Sequence, residues 1–480
     1  MDKEFRMTTQ KMSVRLKTLV LAMGVVVAGT AQADTNTEVE QLRKEVQELR
    51  GMLEQYAQQQ KQMNVQQQNY QAQVAAQTSP AKPAPEKKGL GITVGGAEVN
   101  FYGNVRADAT YQIDGGPNKG HPYNQINKAA LEGTTGNSDI FKSTLAATRL
   151  GFDFKTPTQS GDVAGKVEVD FLGANDTLRI RHAYLTYANW LIGQTWSNFA
   201  VPDYMPESID ALGYVGGAVK RTPQVRYTST FSTQTNLIFA LEDSKYSDNT
   251  TGTKTVLNKQ YDENNQLTDA TLSNVTTVTA LGSDPGNQTR LPALSARLNH
   301  KFADNEGIVT ARTMLAEKNT KDDNDLAWGV GLGAKYNVTP STTLKADYYH
   351  VKGDSSFVSW SNPGYAIDAN KNIQQSEFDS ITVGITQQFN PKWRGTLGYG
   401  YMNHDTDLDY INASANPSAL NKDLWQAWAN VFYSPIKPVS LGLEYTYGER
   451  ETFSAPNATT PLTSKTGEEN RVNVVAMYNF

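Results

Sequence analysis

From residue 97 to the C-terminus, apolar and polar side chains alternate with a period of two over runs of ten residues or more. In the first run Val99, Phe101, Gly103, Val105, Ala107, Ala109, Tyr111 and Ile113 fall on one face, and Tyr102, Asn104, Arg106, Asp108, Thr110 and Gln112 on the other. Leu150, Phe152 and Phe154 then oppose Arg149, Asp153 and Lys155, and Val163, Val167, Val169 and Phe171 oppose Lys166, Glu168 and Asp170. Trp328, Val330, Leu332, Ala334, Tyr336 and Val338 oppose a glycine-rich face with Lys335 and Asn337; Leu441, Leu443, Tyr445 and Tyr447 oppose Glu444 and Arg450. A soluble sandwich also alternates, but its strands run about five or six residues and its apolar face needs a second sheet. Runs of this length suit tilted strands that cross a bilayer.

About sixteen such segments can be counted, an even number that closes an antiparallel barrel with both termini on one side and leaves no unpaired edge in lipid. Tight connections at Ser232-Thr233-Gln234, Thr339-Pro340-Ser341, Asn390-Pro391-Lys392 and Ser434-Pro435-Ile436-Lys437-Pro438 are interleaved with long ones from Ser244 to Arg290 and Gly353 to Glu377. Short periplasmic turns and long outer loops have this rhythm. Phe101, Tyr111, Phe154, Tyr336, Phe389, Tyr401 and Tyr478 gather near segment ends, where rings can rest at the lipid headgroups.

The first hundred residues read differently. Lys11, Arg15 and Lys17 precede an apolar run from Leu19 to Ala28 that ends at Ala31-Gln32-Ala33, which predicts an export signal over residues 1–33 cleaved after Ala33. The apolar run is about half the length a spanning helix needs. Over residues 34–78, Val39, Leu42, Val46, Leu49, Leu53, Tyr56, Met63, Tyr70 and Val74 step by three and four along a heptad seam. Glu38 and Glu45 stand at g positions five residues ahead of Arg43 and Arg50, which predicts a parallel periplasmic coiled coil. Pro80, Pro83 and Pro85 open a linker over residues 79–96, and the barrel is assigned to 97–480. The predicted fold class is thus an all-β membrane protein: a 16-stranded antiparallel transmembrane barrel preceded by an α-helical coiled coil.

Composition narrows the chemistry. There is no cysteine, which excludes disulfide frameworks and thiolate metal sites, and a net charge of −5 gives nucleic-acid binding no support. The five histidines, His121, His182, His300, His350 and His404, show no metal-ligand spacing. Asp322-Asp323-Asn324-Asp325 lacks the glycine and distal glutamate of a calcium loop. No cofactor is expected and no enzymatic activity; His182 is the one residue to weigh for an outer-membrane hydrolase, with a serine as nucleophile. A second alternative makes the coiled coil a surface or envelope tether and the barrel its anchor.

Phe101-Tyr102-Gly103, Thr148-Arg149-Leu150-Gly151-Phe152, Arg181-His182-Ala183-Tyr184, Gly193-Gln194-Thr195-Trp196 and the terminal Phe480 resemble, in that order, the general trimeric porins and more closely the DcaP-like porins. That resemblance covers the mature chain. It implies a homotrimer in the Gram-negative outer membrane, joined through barrel and coiled coil, that passes small anionic solutes with dicarboxylates favoured.

If apolar positions face lipid, then Arg106, Arg149, Arg179, Arg181, Arg226, Arg297, Arg312 and Arg394 face the lumen, with Lys166, Lys335 and Lys345. A smaller acidic set includes Asp108, Asp153, Glu168, Asp170, Asp347 and Glu444, so the lumen should lean cationic and prefer anions. The loop from Ser197 to Thr222 follows the fifth strand, where the resemblance to porins implies an inward fold that narrows the channel, and it carries Asp203, Glu207 and Asp210, expected to face the arginine wall. Parity is untidy in the fourth strand: placing Arg179 and Arg181 inward also turns Leu185 and Tyr187 inward, an assignment that a bulge or a subunit contact there would change.

Overall fold

The computed structural model describes residues 90–117, 122–243, 251–261, 267–278, 290–320, 322–414, 419–453 and 464–480. The expected signal segment, the coiled coil, most of the linker and His121 lie outside the described residues.

Sixteen antiparallel strands close into a barrel. They are β1 (Ala97–Asp114), β2 (Ile140–Thr144 continued by Arg149–Thr158), β3 (Gly161–Asp170), β4 (Arg179–Tyr187), β5 (Trp190–Trp196), β6 (Arg221–Thr230), β7 (Thr235–Glu242) and β8 (Ala293–Phe302). The second half comprises β9 (Gly307–Asn319), β10 (Asn324–Thr339), β11 (Thr342–Lys352), β12 (Glu377–Asn390), β13 (Trp393–His404), β14 (Asn421–Tyr433), β15 (Val439–Thr452) and β16 (Thr466–Asn479). β16 pairs with β1, and Phe480 exchanges two backbone hydrogen bonds with Gly103, so the chain end seals the sheet. A Cβ on Gly103 would lie 2.8 Å from the Phe480 ring, which explains a glycine there. The last residues of the stretch read as linker are folded: Leu90–Val94 turns at Gly95-Gly96 and pairs with the start of β1.

The outer face is apolar around the circumference, with Val105, Ile180, Ile192, Phe239, Leu332, Leu397 and Leu443 all exposed. A surface of this extent is stable against lipid and a liability in water. No helix among the described residues is long and apolar enough to cross a membrane; the crossings are made by strands.

The fourth strand carries the bulge its parity demanded. Glu168 pairs with His182 and Val169 with Ile180, which leaves Arg181 without a cross-strand partner. Past this skipped residue the alternation is reset, so Arg179, Arg181 and His182 turn inward while Ile180, Leu185 and Tyr187 remain exposed on the outer face.

The interior is not uniformly polar. Met314, Ala316, Ala327, Val351, Phe378, Met402 and Leu424 occupy inward positions of β9–β14 and are buried. They pack on residues of three infolded loops: Ile126 and Ala129 of the β1–β2 loop, Phe199, Ala200, Val215 and Ala218 of the β5–β6 loop, and Phe357 and Val358 of the β11–β12 loop. Apolar side chains are tolerated inside because protein, not water, covers them.

Candidate functional site

The loop between β5 and β6, residues 197–220, is tied at its base, where Ser197 N donates to Lys220 O at 2.9 Å. Gly213 and Gly216 have φ of +75° and +82°, which lets the chain double back inside the barrel. A Cβ on Gly216 would lie 2.2 Å from Ile381 O, and one on Gly400 would lie 1.8 Å from Val215 O, so the loop rests directly on the β12–β13 backbone.

Inward side chains fasten it along one side of the wall. Asn198 N donates to Glu242 of β7 at 3.0 Å, and Phe199 packs edge-on to Tyr349 of β11. Lys345 donates to Met205 O at 3.0 Å, and Trp428 and Asn430 donate to Glu207 O at 3.1 and 2.9 Å. Arg106 reaches Ile209 O at 2.5 Å. The Glu444 carboxylate collects Ile209 N, Asp210 N, the Tyr214 hydroxyl, and the amides of Asn430 and Asn473, a charge satisfied wholly by donors.

Two further loops support this one from the outer side. Asn124 of the β1–β2 loop donates through its backbone to Asp210 at 2.6 Å and through its side chain to Gly213 O, and Arg450 holds Asn127 O and Ala129 O, both at 2.7 Å. From the β11–β12 loop Asp354 pairs with Lys318 at 2.5 Å, and Lys220 donates to Ser356 and lies 3.7 Å over the Phe357 ring. The two lysines hold the buried Asp354 carboxyl down at about 2, against the effect of burial. Among the described residues no hydrogen bond or ion pair joins the 197–220 loop to β2, β3 or β4, whose inward charges pair with one another instead.

The eight arginines expected in the lumen all lie on inward positions, but they divide into two groups. Arg106 pairs with Asp108 at 2.6 Å, Arg179 with Asp170 at 2.7 Å, Arg181 with Glu168 at 2.6 Å, and Arg394 with Glu207 at 2.8 Å; Arg312 pairs with Asp347. Arg149, Arg226 and Arg297 make no ion pair with a described residue, and Arg297 and Arg226 lie within electrostatic range of each other. The Arg312 side chain has no exposed surface, because the 197–220 loop covers it and Phe199 O accepts from it; it anchors the loop and does not line the passage.

The three loop acids also separate. Asp203 is exposed, near Tyr204 and Arg297. Glu207 is spent on Arg394. Asp210 is not a lumen-facing acid: it is buried on the docked side of the loop, 3.6 Å from Arg471, and burial pushes its carboxyl up to about 7 despite that charge. Of the three acids, Asp203 alone is exposed, and Glu207 alone pairs with one of the expected arginines.

The expected lumen set also missed cations: Lys318 and Arg471, both buried and ion-paired, and Arg221. Arg221, at the first position of β6, lies 4.5 Å over the Trp196 ring and within electrostatic range of Arg149, Arg179 and Arg181. It follows directly on a loop, where no run of alternating residues signals its direction.

His182 is buried inside the barrel, 3.0 Å from Thr195 Oγ1 and edge-on to Trp196, so it forms no pair with a lipid-facing serine. Asp322 pairs with Lys371, Asp323 accepts Asn324 N and Ile373 N, and Asp325 accepts Leu326 N; these carboxylates order a turn. Among the described residues no three His, Cys, Asp or Glu side chains converge on a metal site.

A profile of the DcaP outer membrane protein family matches residues 26–268 and 250–480. Among solved structures, the chain is similar to the outer membrane channel DcaP of Acinetobacter baumannii, with 36% identity, 81% of this chain and 99% of that one covered, and a TM-score of 0.67. It is more distantly similar to OmpT of Vibrio cholerae, at 14% identity, 81% and 99% coverage and a TM-score of 0.47. An anion-selective porin from Comamonas acidovorans shows 11% identity, 80% and 100% coverage and a TM-score of 0.47. No curated protein matches the chain.

Proposed function

The chain belongs to the DcaP outer membrane protein family and is a β-barrel porin of the outer membrane, and on that footing we propose that it passes small hydrophilic anions by diffusion, with dicarboxylates as the favoured class. The observation that carries the charge preference is the set of inward arginines without a carboxylate partner, Arg149, Arg226 and Arg297. A guanidinium stays charged at every physiological pH and offers forked donors to a carboxylate, so it can replace part of an anion's water shell during transit. Paired arginines contribute far less field, since each carries its counter-charge within 3 Å.

The same reading makes the protein a non-enzymatic homotrimer, assembled through the barrel wall and through a periplasmic coiled coil at residues 34–78, and the heptad seam supports the second contact. Reversal potentials in planar bilayers under a salt gradient test the function. The expected sign is anion preference, weakened in Arg149→Ala and Arg226→Ala, and a wild-type channel that prefers cations overturns it. Conductance block by a four-carbon dicarboxylate, compared with a monocarboxylate at equal ionic strength, tests the solute class.

A further inference from the structure

The arc of β2, β3 and β4, which makes no hydrogen bond or ion pair to the 197–220 loop among the described residues, holds a charge arrangement that an arginine count does not convey. The bulge in β4 turns Arg181 toward β3, where Glu168 and Asp170 are both buried. Asp170 is gripped twice: Arg179 donates to its two oxygens at 2.9 and 2.7 Å, and Arg181 Nη1 donates to Oδ2 at 2.9 Å. Glu168 takes Arg181 Nε at 2.6 Å on one oxygen and the Tyr102 hydroxyl at 2.9 Å on the other. Arg149 and Arg221 lie within electrostatic range of this network and have no carboxylate partner among the described residues. Four guanidinium charges therefore meet two fixed carboxylates.

We infer that Glu168 and Asp170 are specificity-determining residues that act as built-in counter-ions, holding the anion preference of the passage below what its arginines would otherwise impose. The inference rests on the anion-preferring reading above. An anion that binds four uncompensated arginines tightly leaves slowly, and flux needs weak, multiple contacts. Two carboxylates inside the cluster lower its net field: Arg179 and Arg181 keep their places on the wall while their charge is offset and the N–H groups they turn to Glu168 and Asp170 are occupied. Across the bulge, the same pairs also keep like-charged side chains on neighbouring strands from repelling one another.

The test compares full-length wild type, Glu168→Gln, Asp170→Asn, Tyr102→Phe and the double variant Glu168→Gln/Arg181→Gln by reversal potential in planar bilayers at low and high potassium chloride. Each carboxylate substitution is expected to raise the anion-to-cation permeability ratio roughly 1.5- to 3-fold at low salt, an effect that shrinks as salt screens the lumen. The double variant restores the net charge and is expected to return the ratio near the wild-type value. Tyr102→Phe removes a hydrogen bond to Glu168 without changing charge, and is expected to leave the ratio unmoved; a purely structural role for Glu168 would make it resemble Glu168→Gln. If Glu168→Gln does not insert into the bilayer, Asp170→Asn against Tyr102→Phe decides the matter. Unchanged or lowered ratios in the carboxylate variants of an anion-preferring channel overturn the inference; a cation-preferring wild type instead overturns the function from which it starts.

Discussion

Replacing Glu444 by Gln asks how firmly the 197–220 loop is held. The carboxylate accepts five donors: Asp210 N at 3.3 Å, the Tyr214 hydroxyl at 2.5 Å and Asn473 at 3.1 Å on Oε1, and Ile209 N at 2.8 Å and Asn430 at 3.0 Å on Oε2. A glutamine keeps one acceptor oxygen and points an amide N–H₂ at the remaining donors. In its better orientation the carbonyl serves the first three and two donors are stranded. Bonds to a charged acceptor contribute about 1.5–3 kcal/mol each, and relief from burying a charge returns part of that, so the net cost is about 2–4 kcal/mol. Of the two stranded donors Ile209 N belongs to the loop and Asn430 to β14, so about half of the loss, about 1–2 kcal/mol, falls on loop docking and shifts its equilibrium roughly 5- to 30-fold. Single-channel recordings should then show added open-channel noise and excursions to a larger conductance, and protease should cut the loop sooner in detergent. A variant with wild-type noise, conductance and protease resistance would refute the reasoning.

Three further outcomes are expected. Arg312→Ala removes the ion-pair partner of the buried Asp347 and should cost about 3–5 kcal/mol of stability, read as a lowered thermal midpoint in detergent, whereas Arg226→Ala should barely move the midpoint and instead lower anion selectivity. Gly400→Ala places a Cβ 1.8 Å from Val215 O, so the loop must lift from β13, read as raised conductance. Asp210, whose folded carboxyl is pushed up to about 7 against about 3.9 in an unfolded chain, keeps a proton that the unfolded chain releases between those values. Its stabilising contribution is full below about pH 4, falls as pH rises toward 7 and is gone above it; Asp210→Asn should flatten that part of the melting profile.

Backbone parity made most of the barrel legible in advance. On β1, the split between Val105 and Ala107 outside and Arg106 and Asp108 inside needs only pleating and two solvents, both properties of a single strand. Counting strands located the loop after β5, and the resemblance to porins implied that it folds inward. The bulge at Arg181 was visible as a conflict of parity, though not its exact residue, because a register skip shows only against the neighbouring strand.

Tertiary structure decided which charges are free. Arg297 and Arg312 face each other across the β8–β9 ladder and look alike in sequence, yet Arg312 is covered by the loop and paired with Asp347 while Arg297 has no partner among the described residues. Asp203 and Asp210 sit on one loop, and only the way it lies on the wall makes one exposed and the other buried. Met314, Val351, Phe378 and Met402 break the polar-inside rule for the same reason. Periodicity reports which side of a strand a residue occupies, a local property of the backbone; what covers that side is set by segments remote in sequence, and the field a charge exerts depends on that cover.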